Sequence, residues 1–279
     1  MTDSVATDST LPEFRHTVFC MGTAFNFVGR SSLGRGQITA LLDAAERILH
    51  EADETFSLYK PESPLSKLAR GEISLLLCPD VCTEIWDDCE HFNEITDGWF
   101  SAFTPEHTFD PSGLVKTWAA AKAANELIDG GVTDFALNAG GDILLSPQVS
   151  AGLPMRMGIS KPKSIASDEA GVLTVIDLND TEFRAMATSG TAERGDHIWN
   201  PKAGGATWAN EILQVSVVAK DIVTADVLAT AAFAAGDQAL NFLASYNTKN
   251  ESNHVEALIV NKDSTLAATP GFAELFAKG

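Results

Sequence analysis

The chain has 279 residues, 45% of them hydrophobic, 20% charged and 8% aromatic, the profile of a folded globular chain of one large domain or two intimate ones. Its 19 Lys and Arg against 38 Asp and Glu leave a formal charge of −19, a mean field that repels phosphate backbones and anionic lipid heads. That field argues against a nucleic-acid binder and allows a small anionic ligand only where a local cation or metal offsets it.

No apolar run approaches the roughly 20 residues that span a bilayer. The first residues, MTDSVATDSTLPEF, are acidic and small where a secretory signal would be basic and then apolar, so the expectation is a flexible segment over 1–14, a cytoplasmic chain and no membrane anchor. Residues 15–30 read as a strand entering a glycine-containing turn. Over 35–54, Ile38, Leu41, Leu42, Ala45, Ile48, Leu49 and Ala52 recur at helical spacing and predict an amphipathic helix. The stretch FSLYKPESPLSKL, carrying Tyr59, is expected to be a loop because Pro61 and Pro64 interrupt it. A second helix is predicted over 80–95 with Asp80 as its N-cap. Cys78, Cys82 and Cys89 fall on that stretch, and a zinc site with His91 lacks a second compact ligand pair, so these and Cys20 read as buried free thiols.

In FDPSGLVKTWAAAKAANELIDGG, residues Asp110, Pro111 and Gly113 form a turn, an Ala-rich helix follows, and Gly130 and Gly131 end it. DFALNAGGDILL is a strand in which Gly140 and Gly141 mark a bend or a close backbone approach. Further strands are expected over 156–160, 172–178, 184–188, 213–219 and 255–260, and helices over 222–235 and 238–246. The irregular alternation, without repeat or linker, predicts one α+β unit.

Two segments stand out chemically. The helix IVTADVLATAAFAAG is apolar nearly all round, so Asp226 inside it must be paired or bind a metal. Thr230, one turn on, shares its face, and two such oxygens suit a hard cation such as Mg²⁺. The helix alone favours a buried acid that caps a loop or meets a Lys or Arg. In ATSGTAERGDHIWNPKAG, Thr188, Ser189 and the amides around Gly190 can cradle a phosphate, and His197 is either a general base or a hydrogen-bonded structural residue. No GxGxxG in the right context, GxxxxGK[ST] or GxSxG is present, which argues against Rossmann-type or P-loop nucleotide binding.

Taken in order, MGTAF at 21–25, the Tyr59 loop, DPSGLVK at 110–116, NAGGD at 138–142, TSG at 188–190, HIWNPKAG at 197–204 and VSVVAKDIVTADVLAT at 215–230 resemble the ApbE family, the FAD:protein FMN transferases. The resemblance implies a single ApbE-like α+β domain over 15–279, with mixed or antiparallel sheets packed by helices. It implies an enzyme that uses Mg²⁺, cleaves FAD, attaches FMN to a Thr or Ser of a flavoprotein and releases AMP. Carried over by position, Asp226, Thr230 and the Gly113 carbonyl are metal ligands and His197 is the base. Met21, Tyr59, Trp99, Phe100, Ser101, Asp110, Lys116, Thr188, Ser189, Gly190 and Ile198 fall along the flavin nucleotide. The chain departs from the family at Ser101, Thr117, Asn200 and Ala203, where an acid, a glycine, an aspartate and a threonine are usual. With water as acceptor the same site would make an FAD pyrophosphatase; without chemistry it would be an FAD carrier.

Overall fold

The computed structural model describes residues 11–147, 155–162, 171–190, 198–203, 208–209 and 212–277. Its frame is an eight-stranded sheet in which every neighbouring pair is antiparallel, in the order β1-β2-β3-β4-β7-β8-β9-β10. The strands are β1 Glu13–Cys20, β2 Thr23–Arg30, β3 Asp134–Ala139, β4 Asp142–Leu145, β7 Ala185–Gly190, β8 Ile212–Ala219, β9 Glu256–Asn261 and β10 Leu266–Ala268. A separate hairpin, β5 Arg156–Ser160 with β6 Val172–Asp177, lies on one face of this sheet. The other face carries the helices α1 Arg35–Phe56, α2 Pro64–Ala69, α3 Asp80–Ile95, α4 Ser112–Asp129, α5 Ile222–Ala235 and α6 Ala239–Lys249.

The two faces bury separate cores. Phe25, Phe27, Phe135, Leu137 and Val217 meet Leu49, Leu114, Leu127, Leu228 and Phe233 of the helices. On the opposite face Met186, Val218 and Leu258 meet Met157, Ile159 and Ile176 of the hairpin and Phe272 of a closing 3₁₀ turn, Pro270–Leu275. The α+β expectation holds, and the pairing is wholly antiparallel.

Several local expectations change. Residues 15–30 fold as the hairpin β1–β2, joined by Met21 and Gly22 at φ 50° and 69°, the left-handed pair whose twist matches antiparallel strands. The glycine pair in DFALNAGGDILL likewise turns one expected strand into the hairpin β3–β4, with Gly140 and Gly141 at φ 66° and 106°. It is also a close approach: the Gly140 amide donates to the Ala24 carbonyl at 3.0 Å, and a Cβ there would sit 2.5 Å from Thr23 Oγ1.

Pro64 begins α2 where it was expected to prevent a helix. It occupies the first turn, where its missing N–H costs nothing, behind the N-cap Ser63, whose hydroxyl accepts from the Ser66 amide at 3.0 Å. Asp80 is the first residue of α3 and not its cap; Pro79 takes the cap position, and Asp80 complements the helix dipole instead. Cys78 precedes α3. All four cysteines are free and buried, and burial pushes the Cys20, Cys82 and Cys89 thiols up to about 12. Strand β10 lacks any signal in the alternation that marks the other strands.

Contrary to the expectation from hydropathy, Ile222–Lys249 is long and apolar enough to span a bilayer. In the fold it is two helices, α5 and α6, broken at Gly236 with φ 59°. Within α5 all residues but Val223, Thr224 and Thr230 are buried. Its apolarity is that of a core helix, enclosed by β7, β8, α4 and α6.

Gly29 shows how tightly the β1–β2–β3 layers close. A Cβ there would lie 2.5 Å from the Phe14 ring, 2.6 Å from Phe135 Cβ and 2.7 Å from the Asp134 carbonyl oxygen. Gly29→Ala is expected to lower stability by about 1–3 kcal/mol or more through overpacking, to be measured as a lower denaturant midpoint at unchanged m-value.

Candidate active site

Four elements converge where the sheet meets the helical layer: the first turns of α4, the start of β4, the end of β7, and the first half of α5. Asp110 Oδ1 accepts from the Ser112 amide at 3.0 Å and so fixes the entry into α4. Lys116 and Thr117 follow one turn later. The Gly140–Gly141 turn delivers Asp142 as the first residue of β4, and alternation along β7 sends Ser189 toward α5 and Thr188 toward the opposite face.

The Lys116 ammonium is hydrogen-bonded to Asp142 Oδ2 and lies 3.6 Å from Asp226 Oδ2. The other oxygen of Asp142 accepts from the Thr188 amide at 3.0 Å. Asp226 Oδ2 accepts from Thr117 Oγ1 at 2.9 Å, and the Ser189 and Thr230 hydroxyls are 3.1 Å apart. On the far side of β7, Thr188 Oγ1 and Ser216 Oγ are 2.8 Å apart. Among the described residues, no buried side-chain polar atom lacks a partner.

Charge is not balanced as neatly as hydrogen bonds are. The side chains of Asp142 and Asp226 are 3% and 8% exposed, and that of Lys116, which they share, is 23% exposed. Burial, reinforced by the charge of Asp142, pushes the Asp226 carboxyl up to about 6, against the opposing pull of Lys116 and of the Thr117 hydroxyl. Among the described residues the pocket therefore carries one negative charge in excess and is lined by oxygens, the donor type that hard divalent cations take. Among the described residues no group of three or more His, Cys, Asp or Glu is placed to hold a metal. A cation here would rest on Asp226, hydroxyls and backbone carbonyls, and the oxygen-rich, acid-excess surroundings fit Mg²⁺.

The expected site residues divide by position. Lys116, Ser189, Asp226 and Thr230 form one cluster, which Thr188 joins through its backbone amide while its hydroxyl lies on the far side of β7. Gly113 is the second residue of α4, and the Phe100 ring lies 3.3 Å from where its Cβ would be. Trp99 is buried under Lys202, whose ammonium sits 4.0 Å from the ring centroid. Lys202 follows Ile198, itself buried, by four residues. Ser101 Oγ is engaged in a local turn with the Phe103 backbone. Gly190 is demanded by close strand approach, since a Cβ would meet the Leu213 carbonyl at 2.8 Å. Met21 occupies the tight β1–β2 turn, and Tyr59, 97% exposed, lies beyond the cluster in the loop before α2. His197 lies outside the described residues.

Sequence reasoning missed Asp142 and Thr117 as members of the cluster. Asp142 closes the NAGGD motif, and an acid immediately after a glycine turn is the available signal. Thr117 stood out only as a departure from the family pattern, and its hydroxyl now explains itself as a donor to Asp226. An open groove of about 430 Å³ lies at the other ends of β4 and β7, lined by Ile128, Leu145, Arg184 and Lys220. Its charges are satisfied: Lys220 pairs with Glu182 at 2.7 Å and Asp221 caps α5.

Comparison with known proteins bears on the family and the fold. The ApbE family model matches residues 101–259. An FAD:protein FMN transferase of Vibrio cholerae is 30% identical over 166 residues, covering 57% of this chain and 46% of its own length; the matched stretch thus spans less than half of that relative. The fold is similar to that of the flavin transferase ApbE from Vibrio cholerae, with a TM-score of 0.77 at 20% identity over 95% of this chain and 99% of the other. An ApbE protein from Thermotoga maritima gives 0.75 at 20% identity over 96% and 100%. The apo flavinyl transferase ApbE of Pseudomonas stutzeri gives 0.75 at 19% identity over 96% and 98%.

The excess charge has a measurable cost. The folded-state pKa of Asp226 lies above its ordinary value of 3.8, so the native state holds the proton more tightly than the unfolded chain. Stability of the metal-free protein therefore falls as pH rises from 3.8 to about 6. Asp226→Asn in chelator is expected to raise stability at pH 8 and to change it little at pH 4, as read from melting curves at the two pH values.

Proposed function

The chain belongs to the ApbE family, and from that premise we propose that it is an Mg²⁺-dependent FAD:protein FMN transferase, moving FMN from FAD to a Thr or Ser of a flavoprotein and releasing AMP. The observation that carries this reading is the buried pair of carboxylates with one ammonium between them. Such a pocket attracts a divalent cation, and a bound cation in turn makes room for a diphosphate in a protein of net charge −19.

In this reading Asp226, Thr230 and the Gly113 carbonyl hold the Mg²⁺, which supplies charge stabilisation to the diphosphate oxygens. Lys116 contributes a compact positive charge to the nucleotide. Thr188, Ser189 and the backbone to Gly190 line the diphosphate, while Met21, Tyr59, Trp99, Phe100, Ser101, Asp110 and Ile198 receive the remainder of the flavin nucleotide. His197, assigned from its place in HIWNPKAG, takes the proton of the acceptor hydroxyl. The freed oxygen attacks the FMN phosphorus, the bond to the bridging oxygen breaks, and AMP leaves with the electron pair.

The test is incubation with FAD, Mg²⁺ and candidate flavoproteins, followed by denaturing electrophoresis for a covalently fluorescent band and quantification of AMP. Transfer predicts AMP in step with labelled protein; FMN and AMP without labelled protein identify a hydrolase; neither product refutes the reading. Asp226→Ala should abolish AMP release in a folded protein. His197→Ala should retain FAD affinity and lose about 10²–10⁴-fold in single-turnover rate, and unchanged AMP release would remove His197 from the mechanism.

A further inference from the structure

We infer that Asp142 is a positioning residue for the cation site: it holds the Lys116 ammonium away from Asp226 and so keeps the Asp226 carboxylate open to a divalent cation. This rests on the metal reading above. The geometry is one-sided. Lys116 is in hydrogen-bond contact with Asp142 and only at ion-pair distance, 3.6 Å, from Asp226. Asp142 cannot follow the lysine elsewhere, because its second oxygen is bound to the Thr188 amide at 3.0 Å and its backbone leaves the Gly140–Gly141 turn. Lys116, by contrast, is a flexible four-carbon stem on α4.

Without the charge of Asp142, the carboxylate within ion-pair distance of this ammonium among the described residues is Asp226. A small rotation of the stem would close the 3.6 Å gap and place a monovalent cation where the divalent one must bind. Charge counting separates this competition from a general loss of negative potential. Among the described residues the pocket carries two carboxylates and one ammonium, a net −1. Asp142→Asn reduces it to zero and leaves Lys116 facing Asp226, while retaining an oxygen that accepts from the Thr188 amide. Asp142→Asn combined with Lys116→Met restores the net −1 and removes the competitor.

The experiment is Mn²⁺ binding to the FAD-free protein, followed by electron paramagnetic resonance of the unbound ion, with melting curves in chelator to establish that each variant folds. Asp142→Asn is expected to weaken Mn²⁺ binding by ~10–100-fold, the usual cost of losing a residue that orients a metal ligand, and the double variant to return within about threefold of the wild type. A role of Asp142 as a direct ligand, or as a purely structural residue, predicts no rescue by Lys116→Met and would overturn the inference, as would an Asp142→Asn variant with unchanged affinity. Absence of Mn²⁺ binding by the wild type would instead remove the metal reading, and this inference with it.

Discussion

One ammonium divided between two buried carboxylates is the constraint around which this fold is arranged. Burying an ion is costly, and two buried carboxylates around one partly buried ammonium are tolerable only if the positions of all three are fixed. Lys116 comes from α4, Asp142 from β4 and Asp226 from α5, so a helix, a strand and a second helix must close on one point. Each supplies a different physical device. The Gly140–Gly141 turn sets Asp142 at the head of β4, the carboxylate of Asp110 fixes the start of α4, and the hydroxyl of Thr117 orients Asp226.

Small side chains make the convergence possible. Ala119, Ala120, Ala123 and Ala124 of α4 and Ala225, Ala229, Ala231 and Ala232 of α5 are all buried, so the helices lie close together and to the sheet. Larger residues there would hold Lys116 and Asp226 apart. The opposite face of the sheet packs its separate core against β5–β6. There the Thr188–Ser216 contact and the bond from Gln214 Nε2 to the Ser160 carbonyl join the site's far side to the small hairpin.

Much of this was legible in the sequence, for identifiable reasons. The heptad-like spacing of α1, the Ala-rich run of α4 and the apolar α5 are each long enough for periodicity to decide, and an acid amid apolar residues announced Asp226. What was not legible depends on partners distant in sequence. No local pattern tells that the acid after the NAGGD glycines faces a lysine 26 positions earlier, or that Thr117 donates to a residue 109 positions later. Proline misled at Pro64 because its effect reverses between the interior of a helix and its first turn. The glycine pairs misled because a bend in one strand and the turn of a hairpin have the same signature until the register is known.

The account stands on the claim that this acid-excess pocket is built for a divalent cation. The most direct measurement is an anomalous difference map from crystals of the protein soaked in Mn²⁺. The account predicts a peak within coordination distance of the Asp226 carboxylate and the Thr230 hydroxyl, with Lys116 still on Asp142. A pocket without a peak, with the Lys116 ammonium seated against Asp226 under saturating Mn²⁺, would contradict it.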